Sequence, residues 1–370
     1  MIRKEQKPHI WLSGAHFVND IYTGMLNPIM PFIAAKLSIS MAIATVVLSM
    51  SHICSSLLQP IFGFFADNIL KRIFIFWGLL FTAIFISFAP ITNTLPLLIL
   101  FVILGSLGSS LFHPQALGFI VRFSTNDTGK NMGAFIAMGT FGYSLGPIVS
   151  AFITQFLGLH DIPYLAVFGI CWALLMFKFV PKISDKIVEK NNSDFANTFN
   201  DIFSNFKLKL LITISILKSL ITTSTSILLP FLWKDLGYKP FAIGTALFAF
   251  SFMSGIGSFI SRDIEKRVGA KKVFYFSMIS TLPLMLIFAM TYKTCPILSF
   301  VIFAIMGLFT AMAMPVTMVM AQSIMPQYKS VIGGFINGFS WGVIAIVMSA
   351  LGFIAQAKGI IPVLLVVALI

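Results

Sequence analysis

Apolar residues fill this chain in about twelve long stretches separated by short polar turns. The stretches cover residues 10–37, 41–66, 73–90, 95–123, 131–158, 162–180, 208–233, 241–261, 272–291, 295–325, 330–357 and 360–370. A helix rises about 1.5 Å per residue, so roughly 20 apolar residues cross the hydrocarbon core of a bilayer. Eleven stretches are long enough, and a soluble core has no use for so much apolar sequence. The pattern predicts an all-α polytopic membrane protein. The twelfth stretch, ending at Ile370, is too short to span. A half-helix end in lipid is costly, so helix 12 reads as truncated.

One polar stretch is longer than the rest. Residues 181–206 carry Lys182, Asp185, Lys186, Glu189, Lys190, Asn191, Asn192 and Asp194. They divide the chain into an N-terminal six-helix bundle (1–180), a cytoplasmic linker (181–206) and a C-terminal bundle (207–370). The halves share a pattern. At an offset of 200, Gly133, Phe135, Ile136 and Gly142 fall on Gly333, Phe335, Ile336 and Gly342. Pro31-Phe32 falls on Pro230-Phe231 at 199, and Pro114 on Pro315 at 201. Matches in order at nearly one offset argue for a duplicated unit, a common transporter plan.

Polar residues inside such helices usually face protein or water. Helix 1 carries His16, Asp20, Thr23 and Asn27; helix 2 carries His52, Ser55, Ser56 and Gln59. Helix 4 carries Ser106, Ser109, Ser110 and His113, and helix 7 carries Ser215, Lys218, Ser219, Thr222 and Ser226. Helix 8 has Ser251, Ser254, Ser258 and Ser261. Spacings of three and four put each stripe on one helix face. Helices 3, 6 and 9 are plain and are expected on the outside. The stripes therefore predict a central wet cavity. Serines and threonines often bond their own helix, so the ionisable groups carry more weight. Asp20 is the first candidate for proton or substrate coupling, with His16 one turn away; the alternative is a structural ion pair. His113 is either a site residue or a packed one. Lys218 is a counter-charge for Asp20, an attractor for an anionic substrate, or a lysine snorkelling to the interface. His52 is a further site candidate. Trp11, Tyr22, Tyr143, Trp233 and Trp341 either line a cavity or form an interfacial belt.

Charge fixes an orientation. The net charge is +13, and cytoplasmic loops of membrane proteins collect Lys and Arg. With the N-terminus inside, nineteen of the 25 basic residues are cytoplasmic, five are outside and Lys218 is within a helix. This reading displaces nucleic acid as the reason for the charge. Cys54, Cys171 and Cys295 have neither metal-ligand spacing nor a disulfide pattern. The basic start followed by a long apolar stretch reads as an uncleaved first helix. There is no nucleophile–base set, metal spacing or phosphate loop, so no enzyme, cofactor or metal is expected.

Three motifs carry a resemblance. Gly63-Phe-Phe-Ala-Asp67-Asn68-Ile-Leu-Lys71-Arg72, between helices 2 and 3, resembles the loop signature of the major facilitator superfamily. Asn68 stands where Arg is common and Leu70 where Gly is common. Residues 265–272 are a looser second copy. In helix 5, Gly133, Gly142, Gly146 and Pro147 resemble the superfamily's antiporter signature; as physics, such glycines mean close helix packing. His16-Phe-Val-Asn19-Asp20, Ser55-Ser56-Leu57-Leu58-Gln59-Pro60 and Gly108-Ser109-Ser110-Leu111-Phe112-His113-Pro114 look like the fosmidomycin-resistance branch, with Gln115 where that branch often has Glu. The resemblance implies the major facilitator fold of two six-helix bundles. It also implies proton-coupled efflux of a small organic compound or drug by alternating access, in a bacterial inner membrane and commonly as a monomer. Gly63, Asp67, Lys71 and Arg72 would form a gating loop. Asp20, His16, Asn19, His113, Gln115, Lys218, His52 and Gln59 would carry coupling or substrate contacts. The rival readings are an importer of a metabolite or organic anion with the same fold, and a degenerate protein that transports nothing.

Overall fold

The computed structural model describes residues 8–59, 62, 71–123, 128–182, 195–325, 332–333 and 335–370. They are mostly helical, with no strand among them. The first six helices are α1 (Pro8–Leu37), α2 (Met41–His52), α3 (Arg72–Phe88), α4 (Leu95–Phe123), α5 (Thr128–Phe156) and α6 (Leu165–Phe179). A π-helical turn, Ile53–Leu57, continues α2. A short helix α7 (Phe195–Ser204) precedes α8 (Phe206–Asp235) and α9 (Pro240–Val268). The ninth stretch is α10 (Ala270–Ile279) plus α11 (Thr281–Thr291), and the tenth is α12 (Pro296–Ala311) plus α13 (Ala313–Ile324). The π-turn Phe335–Phe339 leads into α14 (Ser340–Lys358), and α15 is Ile360–Leu369. Among the described residues, nine helical stretches are long and apolar enough to cross a membrane. α1 is not one of the nine. It has 30 residues, but its polar stripe lowers its hydropathy, and most of its surface is buried in protein.

The chain forms two compact units. The first comprises residues 1–39, 50–192 and 239–244. Here α1 packs most extensively on α5, and α3 on α4. Glycines set both approaches. A Cβ on Gly78 would meet the Gly108 carbonyl, and one on Gly146 would meet Ile21 and Gly24 of α1. Tyr22 donates from its hydroxyl to the Leu165 carbonyl at 2.6 Å. The plain outer helices are only partly as expected. Leu159–Phe179 and Ala270–Thr291 are each 28% buried, but Arg72–Ile91 is 50% buried, because Gly78 draws α3 close to α4.

The second unit comprises residues 40–49, 193–238 and 245–370. Its core includes Trp233, 1% exposed, whose ring meets Phe288, Phe300 and Phe303 edge-on. Trp233 is therefore a core residue, not a cavity or belt residue. Part of the polar linker is also ordered into this unit. Phe199 and Phe203 of α7 stack at 4.4 Å and meet Phe335 of the π-turn, over a buried cluster of Ile202, Leu208, Leu211 and Ile336.

Each unit also takes in one helix start from elsewhere in the chain. In the first, Gln155 Oε1 accepts the Phe241 N–H at 3.0 Å, and Gly244 packs on Ala151. In the second, Gln356 Oε1 accepts the Ala42 N–H at 2.9 Å, and Thr45 packs on Gly352. Gln155 and Gln356 are 201 residues apart, Ala42 and Phe241 are 199 apart, and Thr45 and Gly244 are 199 apart. These are the offsets of the sequence repeat, so the duplication extends to individual helix caps. The first N–H groups of a helix need an outside acceptor, and losing one costs about 1 kcal/mol. Gln356→Ala is expected to speed hydrogen exchange at the Ala42 amide about fivefold and leave Phe241 unchanged. Gln155→Ala should do the reverse. Exchange mass spectrometry of the two variants checks this.

Candidate functional site

The first unit brings three ionisable side chains together in the middle of its helices. His16 and Asp20 lie one turn apart on α1, and His113 lies on α4. His16 Nε2 is 3.2 Å from Asp20 Oδ2, and His113 Nε2 is 3.2 Å from Asp20 Oδ1. The side chains of Asp20 and His113 retain 14% and 20% exposure, so the cluster is reachable but largely enclosed. Asn19 donates from Nδ2 to Asp20 Oδ1 at 3.0 Å and to Ser109 Oγ at 3.2 Å. Its own Oδ1 is buried without a hydrogen-bond partner, an open acceptor beside the carboxylate.

The backbone fixes how both imidazoles are used. His16 Nδ1 is 2.8 Å from the Phe135 carbonyl, and His113 Nδ1 is 2.8 Å from the Ser109 carbonyl. A carbonyl only accepts, so each Nδ1 carries the hydrogen. Each neutral ring then points its Nε2 lone pair at Asp20, acceptor against acceptor. A proton in each bridge removes that conflict. The trio therefore holds zero, one or two bridging protons, for a net charge of −1, 0 or +1. By spacing alone the three donor atoms, within 4.8 Å of one another, also suit a metal ion. Each imidazole pairs with its own carboxylate oxygen, however, which fits two protons better than one ion at a common point.

Packing holds this geometry. The His16 ring stacks on Phe135 at 4.1 Å and meets His113 edge-on at 5.1 Å. A Cβ on Gly139 of α5 would strike the His16 ring. Phe135 and Gly139 were not among the expected site residues, because a carbonyl and a missing side chain leave no chemical signal in the sequence. Gln115 goes elsewhere. It is buried on α4, and its Oε1 accepts the Lys71 N–H at 3.2 Å. Two residues past His113, it lies about 200° around the helix, on the other face. Gln59 donates to the Ser55 carbonyl at 2.7 Å, and His52 is half-buried beside the π-turn.

The gating-loop residues Gly63 and Asp67 lie outside the described residues. Lys71 caps α3. Arg72 donates to the Val180 carbonyl at 2.7 Å and sits over the Phe177 ring, which anchors the loop end to α6. Of the helix 5 motif, Gly142 and Gly146 approach α1, and Pro147 packs at Gly24, whereas Gly133 has open space around it. Lys218 belongs to the second unit. It is half-buried, and its Nζ donates to Ser277 Oγ at 2.6 Å.

A family model described as the Major Facilitator Superfamily matches residues 12–349. The chain belongs to this superfamily. It is a multi-pass membrane transporter of the major facilitator fold and not an enzyme. It is 25% identical to the fosmidomycin resistance protein of Escherichia coli (strain K12), over 94% of this chain and 86% of that one. It is 22% identical to the uncharacterized MFS-type transporter YfnC of Bacillus subtilis (strain 168), over 95% and 87%. Crystal structures of the nucleoside transporter NupG match with TM-scores of 0.80 and 0.76 at 16% identity, covering 98% of this transporter. At that identity they speak for the fold alone.

Proposed function

We propose that this transporter exports a small organic compound in exchange for protons, by alternating access, across a bacterial inner membrane. One observation carries the reading. Two imidazoles with committed Nδ1 hydrogens converge on Asp20 inside the first unit. A buried cluster whose net charge changes with each bridging proton has different affinities for a substrate before and after protonation. That difference is what couples two fluxes. Similarity to a protein named for fosmidomycin resistance supports efflux as the direction. The nineteen-to-five distribution of basic residues supports a cytoplasmic N-terminus, and one copy of the chain holds the whole cluster, which fits a monomer.

The test uses the full protein in proteoliposomes containing a pH dye. A pH gradient is imposed and small drugs, including phosphonate antibiotics, are added singly. Proton flux elicited by one compound, with accumulation of that compound against its gradient, is the expected result. Substrate flux indifferent to the gradient would overturn proton coupling. A second reading, uptake of an organic anion, is favoured by Lys218, and the direction of accumulation separates the two.

A further inference from the structure

The second unit carries an ionisable residue at the same position along its helix as the first unit does. Asp20 and Lys218 are each the thirteenth residue of a 30-residue helix, α1 and α8. At the offset of 199 that aligns Pro31 with Pro230, Lys218 falls on Asn19, next to Asp20. Twelve residues of helix place Lys218 about 18 Å from the start of α8, beyond the reach of a lysine stem to the helix end. It does not snorkel. Its ammonium turns to Ser277 of α10, whose hydroxyl donates to the Phe309 carbonyl at 2.6 Å.

The first unit's aspartate has two imidazoles within 3.2 Å. Among the described residues no carboxylate pairs with Lys218, and Ser277 is its hydrogen-bond partner. Ser215 and Ser219 direct their hydroxyl hydrogens to carbonyls of their own helix. An ammonium has three N–H donors and no acceptor, so two remain. A half-buried cation at this depth costs several kcal/mol. One serine oxygen offsets little of that, whereas a charge-assisted bond to an anion offsets far more.

We infer that the transported compound carries an acidic group, a carboxylate or a phosphorus oxyacid, and that Lys218 is its counter-charge in the second unit. The inference rests on the transport reading above and narrows its substrate class. Lysine offers a point charge without arginine's fixed fork, so it suits acids of differing shape.

The experiment measures thermal stabilisation of the full purified protein by benzoate, N-acetyltryptophan and benzylphosphonate, each compared with its uncharged methyl ester. At least one acid is expected to raise the Tm in a saturable way while its ester does not. Lys218→Met should weaken that acid's binding about tenfold or more, and Lys218→Arg should restore part of it. An ester binding as tightly as its acid, no stabilisation by any acid, or full binding in Lys218→Met would each overturn the inference. A neutral compound whose proton-linked flux is lost in Asp20→Asn and unchanged in Lys218→Met would overturn it while leaving efflux standing. Absence of proton-linked flux for every compound, acidic or not, would overturn the efflux reading itself.

Discussion

Asp20→Asn, reconstituted in proteoliposomes, is expected to lose pH-gradient-driven transport to background while keeping downhill exchange of the substrate. The swap nearly preserves shape. It also supplies an amide hydrogen where the bridge needs a proton, so one neutral imidazole Nε2 can accept from it. The fold and the α1–α4 contact are therefore kept. What is lost is the negative charge that lets two protons gather between His16 and His113 at 3.2 Å on either side. The variant's cluster has no negative state, and only the imidazole that faces the amide oxygen can still take a bridging proton, so the two-proton exchange of the carboxylate is lost. A ligand that binds two states equally shifts nothing between them, so the proton gradient loses its hold on the substrate. Gradient-driven accumulation that survives in Asp20→Asn, with the variant folded by its melting curve, would refute the assignment.

The histidines separate by the same reasoning. His16 is the more enclosed, locked between the Phe135 ring and its carbonyl. His113 is the more exposed and has only its own helix as a δ-nitrogen partner. His113→Gln is expected to impair coupling with little loss of melting temperature, whereas His16→Gln should lower both. Paired melting and flux measurements check this, and an equal loss of stability in the two would count against it.

How much of this was legible in the residues depends on whether the feature leaves a chemical mark. The His16–Asp20 pairing follows from a spacing of four on one helix, and His113 stood out as an ionisable group in an apolar stretch. Their convergence from α1 and α4 is tertiary and was visible only through the motifs. The partners that fix the tautomers, the carbonyls of Phe135 and Ser109, carry no side-chain signal at all. Gln115 entered through the resemblance, as the residue standing where the branch often has Glu, and two residues along a helix from His113 it lies on the opposite face. The stretch 181–206 reads as a polar linker because charge dominates its first half. Yet Phe199, Ile202 and Phe203, spaced three and one, place one apolar edge on a ten-residue helix. The repeat was visible as glycines and prolines at one offset, and Gln155 and Gln356 show it again as equivalent caps.

Helix α5 offers a second large effect, in which the same substitution changes sign along one helix. Alanine normally improves a helix by up to about 1 kcal/mol over glycine. Gly133 has open space, so Gly133→Ala is expected to leave the melting temperature unchanged or raise it slightly. At Gly142 the new Cβ would be driven into the Phe17 carbonyl, and at Gly146 into that of Ile21. These contacts are with backbone of α1, which cannot rotate away as a side chain would. The helices must separate, and overpacking of this kind costs roughly 1–3 kcal/mol or more. Gly142→Ala and Gly146→Ala are therefore expected to lower the melting temperature by several degrees. The consequence reaches the chemistry, since Phe17 and Ile21 bracket Asp20 on α1. Pushing α1 away from α5 moves the carboxylate relative to His113 on α4 and unstacks His16 from Phe135. Proton-linked flux should fall further than stability in these variants and stay intact in Gly133→Ala. Equal melting temperatures at positions 133, 142 and 146 would show that the glycines do not set the α1–α5 approach.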